Sequence, residues 1–111
     1  MHTVIVINTD HLGAGDEALG ARLMRSYLHT LSTVEPYPDA IIFYNSAVRL
    51  LGPGSASLES LRALDDAGVD LLACVTCLEH FALLEHMVVG AVSNMREIVT
   101  MMQAATKVIT V

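Results

Sequence analysis

The 111-residue chain has two cysteines, three prolines, six basic residues and no long apolar run. Each scarcity excludes something. No stretch reaches the roughly 18 apolar residues that suggest a membrane helix. The longest apolar runs, Val4–Ile7 and Ala40–Tyr44, are strand-sized, so no membrane span is expected. Six Lys+Arg face twelve Asp+Glu, for a net charge of −6. The cations Arg22, Arg25, Arg49, Arg62, Arg96 and Lys107 are scattered and form no basic stripe to pair with phosphates. Nucleic acid is therefore not an expected partner. The N-terminus carries no basic segment followed by an apolar one and a cleavage site, so a cytoplasmic location with reduced thiols is expected. Pro36, Pro38 and Pro53 all precede the cysteines. The downstream cis-proline that a thioredoxin-type redox centre needs is thus missing. A structural zinc site commonly takes four ligands, often two CxxC pairs. Only one pair exists here, and neither metal nor organic cofactor is expected.

Hydrophobic residues make up 53% of the chain, with a mean hydropathy of +0.53. That surplus on a small domain predicts that part of the surface meets a partner, and a homo-oligomer is expected. The length suits one domain, residues 1–111, with a real core.

Thr3–Asn8 reads as a first strand whose apolar residues are continuous, as for a strand covered on both faces. His11–Asp16 (HLGAGD) is a glycine-rich turn, and Asp16 can cap a helix running to about Thr33. Leu19, Leu23, Tyr27 and Leu31 share one face of that helix. Glu35-Pro36-Tyr37-Pro38 breaks it. Ala40–Tyr44 is a second strand. Leu58, Leu61 and Leu64 mark a short helix ending at Gly68. Val69–Ala73 is a third strand that leads into the cysteines and a helix over Leu78–Leu84. Met87–Val92 reads either as a short strand or as a connection. Ser93 is expected to cap a fourth helix with Met95, Ile98, Val99 and Met102 on its apolar face. Lys107–Val111 closes the chain as a last strand. Alternating strands and helices call for parallel strands with right-handed crossovers. The fold class expected is α/β, a three-layer α/β/α domain with a mainly parallel sheet of about five strands.

Cys74 and Cys77 form a CxxC where the third strand hands over to a helix. In such folds ligands gather at the carboxyl ends of the strands. Thr76-Cys77-Leu78-Glu79 matches the capping-box pattern T-x-x-E. With Thr76 as N-cap, Cys77 would occupy the first helical position, where the dipole favours a thiolate. At least one low-pKa nucleophile is therefore expected. Packing as a small hydrophobe is the plainer role of a cysteine. Asp10-His11 after strand one and Asn45-Ser46 after strand two lie on the same sheet edge. His11, Asn45, Ser46 and Thr76 are candidate substrate-binding residues, with His11 placed to act as a base. Each is also an ordinary turn residue. Gly13, Gly15 and Ala18 formally spell the dinucleotide fingerprint, but Asp16 and Glu17 would put two negative charges where the pyrophosphate must sit. A tight turn with Asp16 as cap is the better reading.

Four motifs in order carry a resemblance over nearly the whole chain. They are Gly13-Ala14-Gly15-Asp16 before Leu19-Gly20, then Phe43-Tyr44-Asn45-Ser46 with Val48 and Leu50. Leu72–Leu78 around the cysteines and Val89–Met95 complete the set. Together they resemble the DsrE/DsrF-like family, nearest to its YedF branch of sulfurtransferase-like proteins associated with selenium metabolism. The resemblance implies an α/β/α domain, oligomeric as dimers, trimers or hexamers, that carries persulfide sulfur, with selenium as the related cargo. It implies Cys74 as the nucleophile and persulfide carrier, and Cys77 as the assisting thiol. It also implies a sulfur donor or acceptor protein of the TusA type. Two departures stand out: Phe81-Ala82 replaces the Arg-Gly pair of many members, and the TusA-like domain of YedF-like proteins is absent from this sequence. The alternative expectation is a non-catalytic oligomeric binding module whose cysteines are structural or redox-sensing.

Overall fold

A computed structural model describes residues 2–111. Five parallel strands form one sheet in the order β4-β3-β2-β1-β5. They are β1 (Thr3–Ile7), β2 (Ala40–Phe43), β3 (Asp70–Cys74), β4 (Ala91–Ser93) and β5 (Lys107–Thr110). The helices are α1 (Glu17–Leu31), α2 (Leu58–Asp66), α3 (Val75–His80) and α4 (Met95–Ala104), with a 3-10 helix over Asn45–Leu51. No helix among the described residues is long and apolar enough to cross a membrane.

β1 and β2 are continuous apolar runs because the sheet is covered on both faces. Ile5, Ile7, Ile41, Phe43, Leu71 and Ala73 point to one side, where they pack with Met24 and Leu28 of α1 and Leu61 and Leu64 of α2. Val4, Val6, Ala40, Ile42 and Cys74 point to the other, where Ile98 of α4 covers them. The three layers are thus uneven: α1, α2, the 3-10 helix and Leu78 of α3 roof one face, and α4 the other.

Local sequence signals explain most boundaries. The Asp16 carboxylate accepts the Leu19 backbone N–H at 2.8 Å and caps α1, as its position predicts. Gly68, at φ +95°, ends α2 in the left-handed conformation that favours glycine. Its N–H reaches the Asp65 carbonyl, and the Val69 N–H reaches that of Leu64.

Several expectations need correction. α1 stops at Leu31, slightly short of Thr33. Of the segment Met87–Val92 only Ala91 and Val92 are strand, in β4, which runs on to Ser93. Ser93 belongs to β4 and does not cap α4. Asn94 does so, its side chain accepting the Glu97 N–H at 2.9 Å. Ser93 is buried and donates its hydroxyl to the Glu97 carboxylate instead. The apolar face expected of α4 is only partly used. Ile98 is buried, whereas Met95 and Val99 are 55% and 43% exposed. The third helix ends at His80 because Ala82 turns left-handed, at φ +56°.

Candidate functional site at the carboxyl edge of the sheet

Three adjacent strands deliver the candidate residues to one edge. β1 runs into Thr9, Asp10 and His11; β2 runs into Tyr44, Asn45 and Ser46; β3 ends on Cys74 and passes directly into α3. Because all are parallel, these ends lie side by side. The arrangement brings Asn45 to Cys77 and Ser46 to Asp10, across 32 and 36 residues of sequence.

Both cysteines are free thiols. Cys74 is only 2% exposed and lies in the apolar layer under α4 with Val4, Val6, Ile42 and Ile98. Cys77 is half-buried and touches both core layers. The accessible sulfur of the pair is therefore that of Cys77. The backbone N–H of Asn45 donates to Cys77 Sγ at 3.0 Å. Asn45 achieves this in the left-handed conformation, at φ +54°, which asparagine tolerates better than most residues.

The capping box proposed for Thr76 does not form. The strand feeds α3 without a linker, so Cys74 itself is the N-cap and no side chain caps the helix. Cys77 consequently lies at the third helical position, and Thr76 is an exposed residue of the first turn. The expected depression of the Cys77 pKa is also reversed. Burial pushes the Cys77 thiol above its ordinary value; the Asn45 N–H opposes this, while the neighbouring Cys74 adds to it. Desolvation of the anion outweighs one hydrogen bond and a single helical turn.

A polar network sits beside the cysteines. His11 Nδ1 lies 2.9 Å from Asp10 Oδ1 and 3.2 Å from the Thr9 hydroxyl. The Asp10 N–H donates to Ser46 Oγ at 3.1 Å, and Ser46 Oγ reaches Thr9 Oγ1 at 3.4 Å. The Ser46 N–H donates to the Asn45 side-chain oxygen at 2.8 Å. His11 is thus oriented by Asp10 through one ring nitrogen, which leaves Nε2 for proton exchange. Gly20 makes room for this turn. A Cβ there would stand 3.0 Å from the His11 Cβ and 3.2 Å from the Leu12 carbonyl oxygen. The Leu12 N–H in turn donates to the Gly20 carbonyl at 2.9 Å.

Arg49 and Phe81 are the residues that sequence reasoning missed as part of this edge. Arg49 places its guanidinium 4.4 Å from the Phe81 ring centre and 3.7 Å from Asp10 Oδ2. Phe81 also meets His80 edge to face, at 4.9 Å between ring centres. A lone arginine in a 3-10 helix carries no motif, so no signal in the sequence marks it. Among the described residues, no three metal-ligating side chains come together.

The sequence profile of the DsrE/DsrF-like family matches residues 1–111. Solved structures share the fold, three of them as follows. The YchN protein from E. coli superposes with a TM-score of 0.73 at 21% identity, over 99% of this chain and 98% of that one. MTH1491 from Methanobacterium thermoautotrophicum, a protein of unknown function, gives 0.66 at 21% identity, over 96% and 97% of the two chains. BT1422 from Bacteroides thetaiotaomicron, a conserved protein of unknown function, gives 0.65 at 14% identity, over 98% and 94%. No curated protein matches the chain.

Proposed function

The chain belongs to the DsrE/DsrF-like family, and from that premise we propose that it carries sulfane sulfur, or selenium in its place, on the Cys74–Cys77 pair. The observation that carries the reading is the Asn45 N–H aimed at the half-buried Cys77 sulfur at 3.0 Å. A backbone donor fixed on a sulfur favours its anion over the thiol. Here Cys77 is the first acceptor because solvent reaches it, and Cys74 is the sheltered second thiol. That order differs from the one the family resemblance implies.

The step is a sulfur transfer without net oxidation. The Cys77 thiolate attacks the outer sulfur of a donor persulfide. A new S–S bond forms at Cys77, the donor's S–S bond breaks, and the donor leaves as a thiolate that takes up the proton Cys77 lost. Persulfide and thiol on one side become thiol and persulfide on the other. His11, held by Asp10 and connected to Asn45 through Ser46, is the group proposed to shuttle that proton. Asn45 and Ser46 shape the edge on which a donor would dock, and Thr76 stands exposed at its rim. The donor or acceptor is proposed to be a small carrier of the TusA type, and the site a cytoplasmic one.

The protein is further proposed to work as a homo-oligomer. Support comes from apolar side chains left open at both sheet edges and on α4, including Val92, Met95, Val99, Val108 and Ile109.

The test is mass spectrometry after incubation with a cysteine desulfurase and cysteine. A mass gain of one sulfur atom that disappears in Cys77→Ser is the expected result. Folded, fully reduced protein that gains no sulfur would instead favour a binding module without transfer chemistry. Retention of the adduct in Cys77→Ser with loss in Cys74→Ser would restore the order implied by the family resemblance.

A further inference from the structure

A cavity of about 310 Å³ opens where α1, the 3-10 helix and the Pro53–Ser57 loop meet, and neither cysteine lines it. Its size is at the small end of ligand cavities, which run from roughly 300 to 1,000 Å³. Arg25 and Arg49 both line it, together with Ser55, Ser57 and one acid, Asp10. In a chain of net charge −6, two of its six cations converge on one small space.

Against the two guanidiniums stands a single acid in the cavity wall, Asp10. Arg25 makes no salt bridge among the described residues. Arg49 approaches Asp10 Oδ2 only to 3.7 Å, too far for a hydrogen bond. The other Asp10 oxygen is engaged by His11 at 2.9 Å. Arg49 is instead steadied by the Phe81 ring, 4.4 Å away, which fixes the plane of its fork without using its N–H donors. Ser57 is 3% exposed, and its backbone N–H donates to the Ser55 hydroxyl at 3.2 Å.

We propose that this cavity binds a tetrahedral oxyanion, such as sulfate, phosphate or a small molecule ending in one, between Arg25 and Arg49 with the Ser55 and Ser57 hydroxyls as further donors. Two forks and two hydroxyls offer more donors than the two oxygens of a carboxylate can use, and suit a group with oxygens on several sides. The proposal is independent of sulfur transfer at Cys77.

The test is an NMR titration of the whole chain with sodium sulfate and sodium phosphate at constant ionic strength, with sodium acetate and sodium chloride as comparators. Saturable amide shifts centred on Gly54–Ser57 and on the Arg25 turn of α1 are expected. Arg25→Gln and Arg49→Gln should each weaken sulfate at least about tenfold, since each removes charge-assisted hydrogen bonds. Arg22→Gln, on a neighbouring turn of α1 outside the cavity, should leave the affinity unchanged. Should Arg49→Gln lose its native spectrum, Arg25→Gln and Ser55→Ala decide the matter. Shifts that do not saturate, or an equal loss in Arg22→Gln, would mean diffuse charge attraction and overturn the proposal. Acetate binding as tightly as sulfate would overturn the tetrahedral assignment.

Discussion

Asn45 presents its backbone N–H to the sulfur of Cys77, 32 residues further along the chain, at 3.0 Å. The contact ties the end of β2 to the first turn of α3. It also sets two opposed influences on one thiol, because the burial that positions the sulfur raises its pKa while the hydrogen bond lowers it. Burial is the larger of the two.

Alkylation should reveal that balance. Iodoacetamide is expected to modify Cys77 well before Cys74, with a rate that climbs with pH to a midpoint above the ordinary cysteine value of about 8.5. Cys77→Ser should remove the fast phase. A fast phase with an acidic midpoint would contradict the burial argument.

Stability should follow the same group. A thiol whose folded pKa is raised binds its proton more tightly in the native state. Its contribution is fully present below the unfolded value and is lost as pH rises through the folded one. Denaturation midpoints of the wild type should therefore fall, as pH rises above the unfolded cysteine value of about 8.5, more than those of Cys77→Ser.

The left-handed backbone of Asn45 permits a separate check. Asn45→Gly keeps the N–H and the φ of +54°, so Cys77 should retain its reactivity. Asn45→Val should cost about 1–2 kcal/mol, because a β-branched residue meets its own carbonyl there. Chemical denaturation together with the alkylation rate separates the two effects.

Gly20→Ala inverts the usual helix rule. Alanine normally stabilises a helix interior by about 1 kcal/mol over glycine. Here its Cβ would press on His11 and on the Leu12 carbonyl, neither of which is a flexible chain end. Net destabilisation of about 1–3 kcal/mol is expected. The His11–Asp10 pairing should loosen with it, read as displaced His11 ring resonances by NMR at fixed pH.

Met95→Glu and Val99→Glu test self-association. Both side chains are already solvent-exposed in one chain, so thermal stability of the monomer should hardly change. Light scattering is expected to show a smaller species in the variants. An unchanged mass would move the interface off α4.

Much of this fold was legible in the residues, and the exceptions share a cause. β1 and β2 announce themselves because strands buried on both faces must be apolar throughout, and Asp16 announces α1 because helix caps are a local matter. β4 is hard to read because an edge strand of three residues, two of them exposed, has neither length nor alternation. Ser93 and Asn94 both have capping chemistry, and strand pairing with Cys74 claims the first of them. Thr76 fails as a cap because nothing separates β3 from α3. The CxxC is visible as a reactive place, but its acidity depends on how deeply Cys77 is buried and on Asn45. Both are tertiary facts that no spacing encodes.

The uneven roofing of the sheet gives Cys74 a use as a clock. Ile98 of α4 belongs to the same buried layer and covers that face of the sheet. Reagent reaches the sulfur only when this layer parts. Slow labelling of Cys74 under native conditions would then count openings of a local unit below the threshold of global unfolding. Shaving Ile98 to alanine should quicken the count, while the same truncation at Leu61, under the opposite roof, should leave it to the global transition.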